Sequence, residues 1–110
     1  MQNAYQLLRK IGMRSTYSGY HYLATAVDMV LEDPGYLKNV TKNLYAVIGE
    51  KYGVSAYCVE AALRTVITNY WNRNEDKILS KLLNYPLFDK PTSSELISIL
   101  ADYLRDCQEP

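Results

Sequence analysis

The stretch that decides the fold is TKNLYAVIGEKYGVSAYCVEAALRTVITNYWNR, from Thr41 to Arg73. It reads as two amphipathic helices joined by Tyr52-Gly53-Val54-Ser55. The first begins at Thr41 or one or two residues earlier. Leu44, Val47 and Ile48 mark its inner face and Tyr52 continues the stripe, the spacing of one buried helix side. Gly53 suits the left-handed conformation that ends a helix. Ser55 can cap the second helix, which runs to about Asn72. Val59, Ala62, Leu63, Val66, Ile67 and Tyr70 lie on one side of it, and Trp71 extends that side. Tyr57, Cys58, Ala61, Arg64, Thr65 and Thr68 lie opposite. This is the pattern of a helix-turn-helix, about 41–72, in which the second helix is offered to the major groove of double-stranded DNA.

Four more helices flank the pair. Asn3 can cap a first helix to about Ile11, with Tyr5, Leu7, Leu8 and Ile11 as its apolar stripe and Gly12 as its end. A second spans about Ser18 to Glu32, with Tyr20, Leu23, Ala24, Val27, Val30 and Leu31 inward, and Pro34-Gly35 stops it. A fifth spans about Glu75 to Leu83, capped by Asn74 and ended by Tyr85-Pro86. Its early acids, Glu75 and Asp76, suit the helix dipole. A sixth opens on Thr92-Ser93-Ser94-Glu95, a capping box, and carries Leu96, Ile99, Leu100, Tyr103 and Leu104 on one stripe. No segment alternates over strand length, so the expected class is all-α, six helices in one domain over 1–110.

The chain has 110 residues, enough for one core. Lys plus Arg equals Asp plus Glu at twelve each, so any DNA binding must come from local charge placement. Two cysteines and one histidine build no zinc pattern. Parity allows a Cys58–Cys107 disulfide, but no secretory signal precedes it. No run approaches the roughly 20 apolar residues of a membrane span, and the expected setting is cytoplasmic. Eleven tyrosines stand against one phenylalanine. Tyrosine either does phenylalanine's packing with its hydroxyl at the surface, or builds a binding face.

In the second helix of the pair, Arg64 is the one cation in the reading zone and can meet guanine or a phosphate. Glu60 can accept from a cytosine amino group, or simply orient Arg64 one turn on. Lys42, Lys51 and Arg73 can hold phosphates. Against this, two helices joined by a glycine turn occur in many α-folds that never meet DNA, and Glu60–Arg64 can be an ordinary surface pair. His21 lies between Tyr20 and Tyr22 on an amphipathic helix, as a packed or surface residue would. No nucleophile has a base at a recognisable spacing, so no enzyme is expected. No cofactor is implied.

Segments Gly19-Tyr20-His21-Tyr22-Leu23, Thr41-Lys42-Asn43-Leu44-Tyr45, Val59-Glu60, Trp71-Asn72-Arg73 and Lys90-Pro91-Thr92-Ser93-Ser94-Glu95-Leu96 resemble the C-terminal effector domain of the stage-zero sporulation protein A family. The resemblance runs from about Leu7 to Leu104. It implies a six-helix domain that binds a short DNA box, with two copies in tandem. It also implies transcription control, with the later helices available to the sigma subunit of RNA polymerase. In the full-length family a phosphorylated receiver domain precedes this one. No phospho-acceptor aspartate can be assigned here.

Residue by residue, Glu60 and Arg64 match the family's recognition helix. Two of its arginines stand here as Cys58 and Ala61, a histidine as Thr65, and a small polar residue as Tyr57. A good bidentate base contact contributes roughly 1–3 kcal/mol of discrimination. Losing two removes about 2–6 kcal/mol, of a specific-over-nonspecific gap of about 4–10 kcal/mol. The sequence therefore leaves three readings: a regulator with a different or relaxed DNA target, a relative that lost DNA and acts through protein contacts on the full-length regulator or polymerase, or a merely tolerated surface.

Overall fold

The computed structural model describes residues 3–73, 75–84 and 86–108. Six α-helices occur among them: α1 (Ala4–Lys10), α2 (Ser18–Glu32), α3 (Ala46–Tyr52), α4 (Ala56–Asn72), α5 (Asp76–Leu83) and α6 (Ser93–Gln108). No strand occurs among the described residues, and the all-α expectation holds.

Local chemistry sets most of the ends. Asn3 caps α1 in a reciprocal box with Gln6. Ser55 caps α4, its hydroxyl accepting from the Cys58 amide at 3.1 Å. Thr92 and Glu95 form the expected box at α6: the Glu95 amide donates to Thr92 Oγ1 at 3.2 Å, and the Thr92 amide to Glu95 Oε1 at 3.3 Å. Gly53 has φ 75°, the left-handed end of α3. Asn84, with φ 64°, ends α5 one residue before the expected Tyr85-Pro86. Helix α5 begins at Asp76, one residue later than read. The Asn74 cap and Tyr85 lie outside the described residues.

Helix α2 is the hub. It packs against α1, α4 and α6, and is buried over Gly19, Tyr20, Tyr22 to Val27 and Val30. That is wider than the one face its pattern suggested, because neighbours approach from several sides. Its partner surfaces are Leu7, Leu8 and Ile11 of α1, Val59, Leu63, Val66 and Ile67 of α4, and Leu96, Ile97, Leu100 and Leu104 of α6. A short 3-10 turn, Pro34–Leu37, follows α2 where the sequence suggested only a stop.

Three inward faces differ from the expected ones. In α1, Ala4 takes the core position and Tyr5 is exposed. In the first helix of the pair, Val47 and Tyr52 are exposed, while Leu44, Tyr45, Ile48 and Gly49 are buried. The helix opens on a π-turn at Thr41–Tyr45, where the Ala46 amide donates to the Thr41 carbonyl five residues back. Leu44 and Ile48 stay inward as read, and the buried side extends from them toward Tyr45 and Gly49 rather than toward Val47 and Tyr52. In α6, Ile97 and Ala101 are buried, while Ile99 and Tyr103 are only half-buried. The face is rotated by roughly 60°, less than the 100° step between residues.

Tyrosine does packing work. Tyr20, Tyr22, Tyr45 and Tyr70 are buried. Their hydroxyls still find partners: Tyr20 donates to the Tyr5 carbonyl at 3.3 Å, and Tyr70 sits within 2.6 and 2.7 Å of the Ile11 and Glu75 carbonyls.

Candidate nucleic-acid interface

Two glycines seat α4. Gly19 of α2 lies against the backbone of Ala62, and a Cβ there would overlap the Ala62 carbonyl oxygen. Gly49 of α3 lies under the turn, where a Cβ would overlap the Val54 carbonyl oxygen. A glycine inside a helix costs about 1 kcal/mol relative to alanine. Close approach of backbone is what each gives in return. With its inner side held by α2 and α3, the other side of α4 faces outward.

That outer side carries the expected reading set. Tyr57 is 78% exposed, Cys58, Arg64 and Thr65 are exposed, and Glu60, Ala61 and Thr68 are half-buried. Arg64 donates to Glu60 Oε1 at 3.1 Å, with side chains 68% and 39% exposed. A pair this open contributes only a few tenths of a kcal/mol, so the guanidinium can leave it. Thr65 donates its hydroxyl to the Ala61 carbonyl at 3.0 Å, so toward a partner it acts as an acceptor. Thr68 Oγ1 accepts from Lys90 Nζ at 3.1 Å.

The three remaining expected cations are not gathered with these. Lys42 is exposed on the π-turn ahead of α3. Lys51 lies 5.9 Å from the centroid of the Tyr52 ring and pulls on Asp28 of α2. Arg73 closes the far end of α4, 25% exposed, and pairs with Glu75 at 3.5 Å. Its Nε is buried without a hydrogen-bond partner.

Sequence reasoning missed Lys90, Ser93 and Tyr45 as neighbours of this surface. The Lys90 to Glu95 string was legible as a cap and as part of a resemblance, but nothing local ties it to α4. Its approach depends on how α6 docks. The helical glycines, Gly19 in the first turn of α2 and Gly49 in the middle of α3, were a usable signal, since a helix tolerates glycine where packing demands it.

His21 is a packed surface residue, its Nδ1 3.4 Å from the Tyr5 hydroxyl in a cluster with the Tyr20 ring. Cys58 and Cys107 are both exposed and free. Among the described residues, no group of acidic, histidine or cysteine side chains could hold a metal ion. No helix among them is long and apolar enough to cross a membrane.

The family described as "Sporulation initiation factor Spo0A C terminal" matches residues 4–104. The match takes in α1 to α5, the glycine-seated pair and all of α6 but its last turn. It is a family of DNA-binding effector domains of sporulation response regulators rather than a known enzyme family. The helical architecture and the match over nearly the whole length agree, and the chain belongs to the Spo0A C-terminal domain family.

Proposed function

We propose that this domain is a cytoplasmic transcription regulator, not an enzyme, which sets α4 in the DNA major groove and reads a target different from, or looser than, its family's box. One observation carries the reading: α4 is held on its inner side while Tyr57, Cys58, Glu60, Ala61, Arg64, Thr65 and Thr68 share the outer one. A helix with side chains is about 10–12 Å across, which fits a major groove about 12 Å wide. Arg64 supplies the donor fork for guanine, Thr65 and Thr68 supply hydroxyls, and Tyr57 supplies an exposed ring and hydroxyl. Lys42 is assigned a backbone phosphate. Lys51, drawn to Asp28, and Arg73, paired at the far end, are left outside this interface.

Tandem copies on DNA and contact with the sigma subunit of polymerase belong to the same proposal. The exposed Ile78 and Phe88, after α4, are the apolar residues available for the latter.

A second reading is favoured by the composition of the same face. Tyr57, Cys58 and Ala61 form a surface with no charge, and tyrosine is favoured at the centres of protein interfaces. In that reading the domain has lost DNA and docks on the full-length regulator or on polymerase. Selection from a randomised duplex pool at low and moderate salt, followed by sequencing, separates the two. A recovered motif supports the regulator. No enrichment, with weak salt-sensitive binding or none, rejects it in favour of the protein-docking reading.

A further inference from the structure

A cleft of about 350 Å³ opens between α4, the π-turn and the segment leading into α6. Tyr45, Arg64, Ile67, Thr68, Lys90 and Ser93 are among its walls. Two cations share it with one carboxylate, Glu60, so it is locally positive in a chain whose net charge is zero. Neither cation is fully committed. Lys90 gives one hydrogen bond to Thr68 Oγ1, at 3.1 Å, out of the three an ammonium can donate. Arg64 gives one guanidinium nitrogen to Glu60, out of a fork of five N–H donors.

The rest of the lining suits the same ligand chemistry. Tyr45 is 3% exposed and lines the cleft with Ser93. Burial, and then the nearby Glu60, raise the Tyr45 pKa above its usual value, so it stays a neutral hydroxyl. Thr68 and Ser93 add hydroxyls to the lining, and Ile67 and Pro91 are buried apolar parts of it. Cations from two elements on one cleft, hydroxyls in its lining and an apolar part that limits water match a tetrahedral oxyanion. The volume leaves space beyond the anion, for the ester carbon that carries it.

We propose that this cleft binds a phosphate ester, with Lys90 on the charged oxygens, Ser93 and Thr68 on the others, and Arg64 at the rim, where it reaches a base when the ester is the DNA backbone and the ester itself when it is free. The ester belongs either to the DNA backbone beside α4 or to a small free phosphorylated compound. The first source rests on the DNA reading above, and the second does not.

The test titrates the whole chain with inorganic phosphate at constant ionic strength, following backbone amides by NMR. In parallel it measures affinity for a random-sequence duplex across a salt series. Both use wild type, Lys90→Gln and Ser93→Ala, with thermal melts to check folding. Lys90 is exposed, so its variant should melt as wild type does. The expected result is a saturable phosphate shift at Thr41, Thr68, Ser93 and Ser94 that both variants weaken. If Lys90→Gln also lowers duplex affinity several-fold on all sequences and reduces the salt slope by about 1, the ester is the DNA backbone. That loss alone, without a free-phosphate shift, also supports the backbone source. A saturable shift with duplex affinity unchanged, or with no duplex binding, assigns the cleft to a free phosphorylated compound. In the last case the DNA reading of α4 falls while the cleft stands. No saturable shift in the cleft, with Lys90→Gln neutral toward duplex, overturns the proposal and leaves the reading of α4 untouched.

Discussion

Gly19 of α2 packs against the motif and Gly53 lies in its turn, and they are needed for different reasons. At Gly19 the obstacle is the backbone of Ala62, which cannot swing aside as a side-chain tip can. At Gly53 nothing lies within 4 Å of an added Cβ, and the constraint is φ 75° alone. Gly19→Ala should therefore lose about 1–3 kcal/mol through overpacking, partly offset by better helix propensity. Gly53→Ala should lose about 1–2 kcal/mol through the left-handed backbone. Asparagine separates the two in urea unfolding: Gly53→Asn should recover much of the loss, because Asn tolerates that conformation, and Gly19→Asn should be worse than Gly19→Ala. Equal behaviour at the two sites would contradict the assignment. On the outer side of α4, Arg64→Ala should weaken binding to a selected site by about 1–3 kcal/mol, or roughly 5- to 150-fold, and relax preference at one base pair. Unchanged affinity and preference would remove Arg64 from base reading. Residue identities on this side were legible in sequence, because the 3.6-residue period of α4 is unbroken over 17 residues. What they touch was not: Lys90 reaches Thr68 across 22 residues of chain.

At the scale of elements, periodicity served α2 and α4 well and the first half of the motif poorly. Sequence gives no sign of the π-turn at Thr41–Tyr45, since the same residues are compatible with an ordinary turn. Packing of this segment on its neighbours puts Val47 outward and Tyr45 inward. The packing of α3 on α2 also carries an electrostatic consequence. Asp28 lies at the surface, but its neighbours strip part of its hydration and raise its pKa, while Lys51 and the Ala4 amide pull it back down. A carboxyl with a raised folded pKa holds its proton longer when folded. Its contribution to stability therefore falls as pH rises from its ordinary value of 3.8 through the raised one. Asp28→Asn should remove that fall and leave the domain slightly more stable at neutral pH. Lys51→Met should cost about 0.2–1 kcal/mol at neutral pH, the range of an exposed pair, and nothing through this pair below 3.8. Chemical unfolding at both pH values checks both signs, and a Lys51→Met loss that persists at low pH would show that its role is packing.

Across the whole molecule, two features tie distant parts together. The Tyr70 hydroxyl, at the end of α4, meets the Ile11 carbonyl that closes α1 and the Glu75 carbonyl ahead of α5. Tyr70→Phe leaves the Ile11 carbonyl short of a donor, the Glu75 carbonyl still accepting from the Ile78 amide at 3.0 Å, and should cost about 1–2 kcal/mol. At about 4–8 °C per kcal/mol for a domain near this size, the melting temperature should drop visibly. An unchanged melt would show that the Ile11 carbonyl has another donor. The second feature is charge. With a net charge of zero, the chain must bind DNA through a few placed cations. Lys42 and Lys90, the two cations on phosphates, should together give log K against log salt a slope of roughly −2, at about −0.9 per phosphate. A much steeper slope in an anisotropy series would require cations outside this set. The sequence by itself determined the helical class, most helix ends and the two sides of α4, because capping, glycine turns and apolar period act within a few residues. Only the tertiary structure decided the phase of the first motif helix, the rotation of α6 and the cleft that joins Lys90 and Ser93 to Arg64. Those depend on how whole helices press on one another, and no local window of sequence contains both partners.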